Sequence, residues 1–447
     1  MHETRKATVK KSLKNYPRLG WMYEQVTGDE DARVCKDIPE ASCQHLPRNF
    51  FAYLFANLFS KIADELSSAR LILPWLLGVL GAPAAFTGFL VPIREAGVLL
   101  PQLLVAAYIR RLPIRKTVWL LGAGLSGLCL LIMALTVVKL DGVAAGWIVL
   151  LLITLYSIAR GLCSVSAKDV LGKTVSKTRR GVLMGYSAGI SGLVTLLLGF
   201  YVYQSDASSD LQLLAFFLVA AAMIWSLAII IFASIKEAPG ATEHGGNALQ
   251  VAIASMGILY TDNHFRKFVI SRAMLLSVAL APPFYVLLAQ QHSQGISGLG
   301  LLIIASGLAG SISAPLWGKL SDRSSRRVMI MASLLAGITG IMTWLLVNAG
   351  LTLMNSAWIY TILFFLIAMF HGGVRLARKV YLVDMASEKT RSIYVAVSNT
   401  VIGITMLAGG LFGVIGDVLD TSSVILVLAL LSCLAALYIA RLPDVSG

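Results

Sequence analysis

Twelve long apolar runs divide this sequence, each close to the length of a helix that crosses a bilayer, and that burial demand limits the possible folds before any motif is read. A spanning helix needs about 20 apolar residues, because the hydrocarbon layer is about 30 Å thick and a helix rises about 1.5 Å per residue. Such runs lie near residues 53–79, 84–109, 117–138, 144–166, 181–203 and 211–233, and again near 268–290, 295–318, 328–349, 355–377, 392–414 and 422–441. Composition agrees, with 57% of residues hydrophobic, 13% charged and a mean hydropathy of +0.78, more apolar surface than a water-soluble core hides. The runs are long and lack strand-like alternation, so an all-α membrane protein is expected and a β-barrel is not.

The pattern divides the chain into a polar tail over 1–50, a six-helix bundle over 51–233, a linker over 234–267, a second six-helix bundle over 268–441 and a short tail over 442–447. Glu237, Pro239, Gly240, Glu243, His244, Gly245 and Gly246 give the linker its composition. A shift of 211 residues relates the halves: it carries Arg115-Lys116 onto Arg326-Arg327, Lys168 onto Lys379 and Leu171 onto Leu382. Duplicated halves of this kind are common among secondary transporters. Basic residues cluster on alternate connections, at Arg110, Arg111, Arg115 and Lys116, at Lys173, Lys177, Arg179 and Arg180, at Lys319, Arg323, Arg326 and Arg327, and at Lys389 and Arg391. The opposite connections hold Lys139 among acids such as Asp141, Asp206, Asp210, Asp417 and Asp420. By the positive-inside rule both termini are cytoplasmic, and the net charge of +14 records topology, with no nucleic-acid partner. The basic tail carries Arg5, Lys6, Lys10, Lys11, Lys14 and Arg18, which suit either solvent or anionic lipid head groups.

Other chemistries find little support. Cys129, Cys163 and Cys433 fall within spans, and the Cys35, Cys43 and His45 spacing matches no zinc pattern, so no metal or other cofactor is expected. A Gly-x-Ser-x-Gly match, Gly185 to Gly189, lies inside an apolar run where a nucleophile elbow cannot form, and a packing face is the better reading. An enzyme is therefore not expected. No Asn-x-Ser/Thr sequon occurs and the external connections are short, which fits a bacterial inner membrane.

The connection after the eighth run reads Gly318-Lys319-Leu320-Ser321-Asp322-Arg323-Ser324-Ser325-Arg326-Arg327. It resembles the signature loop of the major facilitator superfamily, Gly-x-x-x-Asp-Arg-x-Gly-Arg-Arg, with Ser325 in place of the second glycine. The resemblance implies a cytoplasmic gate at Asp322, Arg323 and Arg327. In the matching first-half loop Arg111 stands where the acid belongs, which puts a latch there in doubt.

The resemblance also implies a central path lined by spans 1, 4, 7 and 10, and the sequence places repeat-related basic residues on them. Lys61 in span 1 maps onto Arg272 in span 7, and Arg160 in span 4 maps onto His371 in span 10. Arg375, one turn beyond His371, and Arg70 in span 1 lack repeat partners. A charge at the centre of a helix costs about 2.5–3.5 kcal/mol on insertion scales, so each needs a partner or a wet cavity. These residues form the expected substrate site, and a basic cavity favours an anion. Carboxylates in the spans are confined to Asp64, Glu65 and Glu95, the candidates for proton coupling. Asp64 and Glu65 lie three and four residues beyond Lys61, so either can neutralise it along the helix. The sequence thus points to a monomeric secondary transporter that moves a small anionic organic solute by alternating access, with possible proton coupling. A proton-driven exporter of amphipathic or cationic compounds and a non-transporting receptor or scaffold stand as alternatives.

Overall fold

A computed structural model describes residues 12–13, 15–28, 38–100, 105, 108–109, 111–205, 210–240, 255–292, 295–351, 356–387 and 390–445. Cys35, Arg110 and Lys389 from the sequence argument lie outside the described residues. Every regular element among those described is an α-helix. Ten helices are long and apolar enough to cross a membrane: Lys116–Val137, Gly142–Thr174, Lys177–Tyr203, Asp210–Ala233, Asn263–His292, Ser297–Ser321, Ser325–Asn348, Ala357–Met385, Ile393–Val418 and Thr421–Ile439. They fall where the third to twelfth spans are expected and keep those ordinals below.

The regions of the first two spans are helical too, as Leu46–Leu66 with Ile72–Val79 and as Ala84–Leu99. The first departs from the unbroken run expected. Pro74 has no N–H, and its ring crowds the carbonyl four residues back, at Arg70, so the helix that begins at Ile72 cannot continue the one that ends at Leu66. The seventh span is interrupted at the repeat-related place: the 211-residue shift carries Arg70 onto Ala281, just before Pro282 and Pro283. A tight turn at Gly81, with φ of +65°, then leads into the second span.

Lipid offers no hydrophobic drive between helices, so packing relies on small residues and interhelical polar contacts. Gly122 of span 3 faces the Ala159 carbonyl of span 4, and Gly337 of span 9 faces Ala429 of span 12. Aromatic contacts fill the first half, with Trp119 stacked on Phe232 at 3.9 Å between ring centroids. Asp262 caps the seventh span by accepting the Phe265 N–H at 2.9 Å, and it also accepts the Tyr394 hydroxyl. Burial acts to raise the Asp262 carboxyl, but those hydrogen bonds outweigh it and hold the group below the usual carboxylate range.

The halves meet tightly at the end remote from the termini. A Cβ on Gly88 of span 2 would sit 2.6 Å from the Cα of Gly413 in span 11. Asp417 accepts hydrogen bonds from the N–H groups of Ala84 at 2.5 Å and Ala85 at 3.0 Å, across the two halves. Gln290 donates to the Trp75 carbonyl at 3.0 Å, and Gly199 of span 5 packs on Ile304 of span 8. Toward the termini the same two spans part: Gly181, Gly185 and Gly189 of span 5 and Gly310 and Gly318 of span 8 face open space. The interior is therefore closed at the remote end and open at the end that carries the termini.

An impermeant thiol reagent tests the orientation expected from the charge pattern. On a cysteine-free background, Leu419→Cys, 67% exposed at the remote end, should label in intact cells, whereas Ser387→Cys, exposed at the opposite end, should label only after permeabilisation. The reverse pattern would invert the assigned topology.

Candidate functional site

Asp64 is the hub of the first half. Its Oδ2 accepts Arg160 Nη2 of span 4 at 2.5 Å, while its Oδ1 accepts Arg94 Nη2 of span 2 at 3.1 Å and the Tyr156 hydroxyl at 2.7 Å. Tyr156 and Arg160 lie one turn apart on span 4, which puts both donors on one helix face. The Arg160 guanidinium also lies over the Trp225 ring at 4.6 Å, and Arg94 lies 5.2 Å from the Tyr156 ring. Beside this network Arg70, carried by the break in span 1, donates to Glu95 Oε1 at 2.7 Å. Adjacent residues on a helix point about 100° apart, and accordingly Arg94 and Glu95 serve different partners.

These groups wall a cavity of about 350 Å³, completed by Ser68, Ser164 and Arg375. Four arginines (Arg70, Arg94, Arg160 and Arg375) face two carboxylates (Asp64 and Glu95), a surplus of two positive charges. Arg375 makes no ion pair among the described residues, and its side chain is open to the cavity. Arg378 stands one turn further along span 10, within electrostatic range of Arg70, Arg375 and Glu95.

The four repeat-related basic residues are not gathered into one cluster. Arg160 is committed to Asp64. Lys61 turns to span 5, where Nζ donates to Ser187 Oγ at 3.3 Å, and the pairing expected with Asp64 or Glu65 is not made. Arg272 is buried and bound within the second half, with Nη1 on Ser398 Oγ at 2.7 Å and Nη2 on Asn399 Oδ1 at 2.8 Å. His371 is buried beside the Val278 backbone, without a well-formed hydrogen bond but within electrostatic range of Arg70, Arg375 and Arg378.

Of the three candidate coupling carboxylates, Asp64 and Glu95 are ion-paired and Glu65 makes no ion pair among the described residues. Glu65 is exposed within the interior and lines two further cavities. One, of about 490 Å³, runs between spans 5 and 8 along Ala188, Gly189, Ser191, Gly192, Gly307 and Ser311. The other, of about 420 Å³, is apolar and lies between spans 1, 5 and 6. Arg70, Arg375 and Lys61 are within electrostatic range of Glu65.

Asp322, Arg323 and Arg327 are exposed at the open end and make no ion pair among the described residues. Their loop is held instead by the C-terminal segment: Ser324 Oγ donates to Asp444 at 2.8 Å, and Arg326 donates to the Leu442 carbonyl at 2.7 Å. In the first half, Asp169 of span 4 and Glu237 of the linker supply the acid missing from the loop. Arg115 pairs with Asp169, Lys173 Nζ lies 3.0 Å from Glu237, and Glu237 accepts the N–H groups of Arg115 and Lys116.

Removing Asp64 should leave two guanidinium groups uncompensated in a low-dielectric interior. Asp64→Ala should therefore cost about 3 kcal/mol, the lower end for breaking a buried pair, read as a fall in the thermal midpoint in detergent. Lys61→Met should shift that midpoint little, since it breaks no ion pair. Equal losses in both variants would deny Asp64 its role as hub.

Residues 268–446 match the Major Facilitator Superfamily model. A curated relative, the uncharacterized MFS-type transporter YqjV of Bacillus subtilis (strain 168), is 27% identical over 139 residues, which is 31% of this chain and 32% of that protein. The match thus spans about a third of that relative's length. Among solved structures, the nucleoside transporter NupG superposes with a TM-score of 0.68 at 13% identity, over 88% of this chain and 99% of that one. A D-xylose-proton symporter gives a TM-score of 0.64 at 14% identity, over 90% and 97% of the two chains. Its second half thus matches the Major Facilitator Superfamily model, and its fold is that of solved membrane transporters 13% and 14% identical to it.

Proposed function

We propose that this transporter moves a small organic anion, bearing a carboxylate or phosphate, coupled to protons through Glu65. The observation that carries the reading is the cavity between spans 1, 2, 4 and 10, whose lining charges do not cancel and whose Arg375 makes no ion pair among the described residues. A guanidinium offers paired donors that match the oxygens of a carboxylate or phosphate, and low-dielectric walls strengthen that attraction. Arg70 and Arg375 hold the anion in this scheme, while the Asp64 network fixes the wall behind them. Lys61, Arg272, His371 and Arg378 add to the positive field from positions around it.

Glu65 suits the coupling role because it faces the interior with no cation bound to it. A neighbouring anion disfavours an ionised carboxylate, so the anion and a proton on Glu65 bind cooperatively, and loss of the proton helps to expel the solute. With the termini in the cytoplasm of a bacterial inner membrane, the observed arrangement is the inward-open state. The exposed Asp322, Arg323 and Arg327 then engage only when the cytoplasmic ends close. Glu65 beside the apolar cavity favours a second reading, export of an amphipathic cation.

A thermal-shift screen of organic anions and cations on the purified protein separates the two readings, since a ligand at about 100 times its Kd stabilises by about 2.7 kcal/mol. For an anion found in this way, Arg375→Ala should weaken binding by about 1.5–3 kcal/mol, the worth of a hydrogen bond to a charged group, measured by calorimetry. A cation that binds the native protein and Arg375→Ala alike would remove the anionic reading. In proteoliposomes, Glu65→Gln should abolish accumulation driven by a pH gradient and spare solute exchange, which needs no net proton release. Normal uphill accumulation by Glu65→Gln would assign coupling elsewhere.

A further inference from the structure

The apolar cavity beside Glu65 has no part in holding a small anion. Spans 5 and 6 are consecutive in the chain, yet both pack on span 1 rather than on each other, and the gap between them is a groove with span 1 as its floor. Ile62 and Leu66 form that floor, Val194 and Leu198 one wall, and Ala220 and Ile224 the other. At the outer lip Tyr201 and Phe216 are 60% and 56% exposed on the surface that faces lipid. At the inner end Glu65 and Thr195 belong both to this groove and to the cavity between spans 5 and 8, so the two spaces share a wall. Glu65 in turn lies within electrostatic range of Arg70 and Arg375. The apolar trough therefore ends at one carboxylate, Glu65, on which the Arg70 and Arg375 guanidinium groups act electrostatically.

We propose that the groove holds the hydrocarbon tail of the transported anion, so that the substrate class is a single-chain amphiphilic anion with its head at Arg70 and Arg375 and its tail between spans 5 and 6. This rests on the anionic reading above and narrows it. A polar solute has no use for a trough walled by aliphatic and aromatic side chains, whereas an alkyl chain gains free energy for each methylene it buries there. The volume of about 420 Å³ suits a chain of many methylenes rather than a methyl or ethyl group. The exposed lip lets the tail enter sideways from the bilayer while the head passes Glu65, which is neutral when protonated. A resident acyl chain of a bilayer lipid is the competing occupant, and it differs in requiring no charge at the head.

Photocrosslinking of the full-length protein in nanodiscs tests this with four diazirine probes of equal chain length: hexadecanoate, hexadecyl phosphate, hexadecanol and hexadecyl-trimethylammonium. One of the two anionic probes should label segments 194–201 and 216–224, at least tenfold more than hexadecanol does. Labelling should fall at least tenfold in Ala220→Trp, which fills the trough, and in Arg375→Ala, which removes the head contact. Val194→Trp, filling the trough from the opposite wall, should reproduce the effect of Ala220→Trp, and circular dichroism with size-exclusion chromatography checks that each variant is folded. Equal labelling by anionic probes and alcohol, or labelling indifferent to Arg375→Ala, would show an ordinary lipid chain in the groove and overturn the inference. Preferential labelling by the ammonium probe would overturn the anionic reading itself. Calorimetric binding of butanoate or inorganic phosphate that depends on Arg375, without groove labelling by either long anion, would leave the anionic reading standing and remove only the amphiphilic substrate.

Discussion

A charged group in a helix that crosses lipid must be neutralised or hydrated, and in the first half of this protein that requirement is met at Asp64. One carboxylate accepts from Arg94, Tyr156 and Arg160, and so ties spans 1, 2 and 4 together where the hydrophobic effect does not act between helices. The rest of the interior is arranged around that tie. With Asp64 occupied by two arginines and Glu95 by Arg70, neither carboxylate lining the cavity pairs with Arg375, and the cavity lining keeps its positive surplus. Glu65 makes no ion pair among the described residues. Ion pairing thus separates two of three chemically similar carboxylates from the third.

The unwound turn in span 1 has a comparable reach. Pro74 keeps the helix Ile72–Val79 from continuing Leu46–Leu66, residues 67–71 leave helical geometry, and Arg70 is thereby brought toward Glu95 and the cavity. An interrupted span carries backbone groups that need partners or water, and such breaks are tolerated in membranes only beside a cavity or protein. Span 7 is interrupted at the corresponding place, before Pro282 and Pro283, so the two halves carry matching breaks.

Contacts at the two ends of the bundle differ in kind. At the remote end, glycines admit backbone contact between spans 2 and 11 and between spans 5 and 8, and Asp417 supplies charge to the first N–H groups of span 2, where a helix dipole favours an anion. These contacts are short-ranged and separable, as an end that opens and closes requires. At the other end each signature loop is anchored within its own half, through Asp169 and Glu237 in the first and through Leu442 and Asp444 in the second. Each half is thus braced within itself at this end.

Sequence alone pointed to the helical membrane class and to the apolar runs that become the third to twelfth spans, because lipid imposes a length and a hydropathy that any 20-residue window reveals. It also singled out Asp64, Glu65 and Glu95, since charges stand out in apolar text, but not Asp169, Asp384 and Asp417, which the longer helices of the structure take into spans 4, 10 and 11. Partner choice was not legible. Lys61 has acids three and four residues away along its own helix and yet binds Ser187 of span 5, while Arg272 is bound by Ser398 and Asn399, more than a hundred residues away. The spacing of His371, Arg375 and Arg378 on one face of span 10, and of Tyr156 one turn before Arg160, would have pointed to two of the residues that sequence reasoning passed over. No such spacing marks the trough between spans 5 and 6, because a cavity is a property of how helices fail to touch. Hydropathy is carried by each residue and is local, whereas ion pairing and cavities depend on which helix faces turn together, and only the tertiary structure decides that.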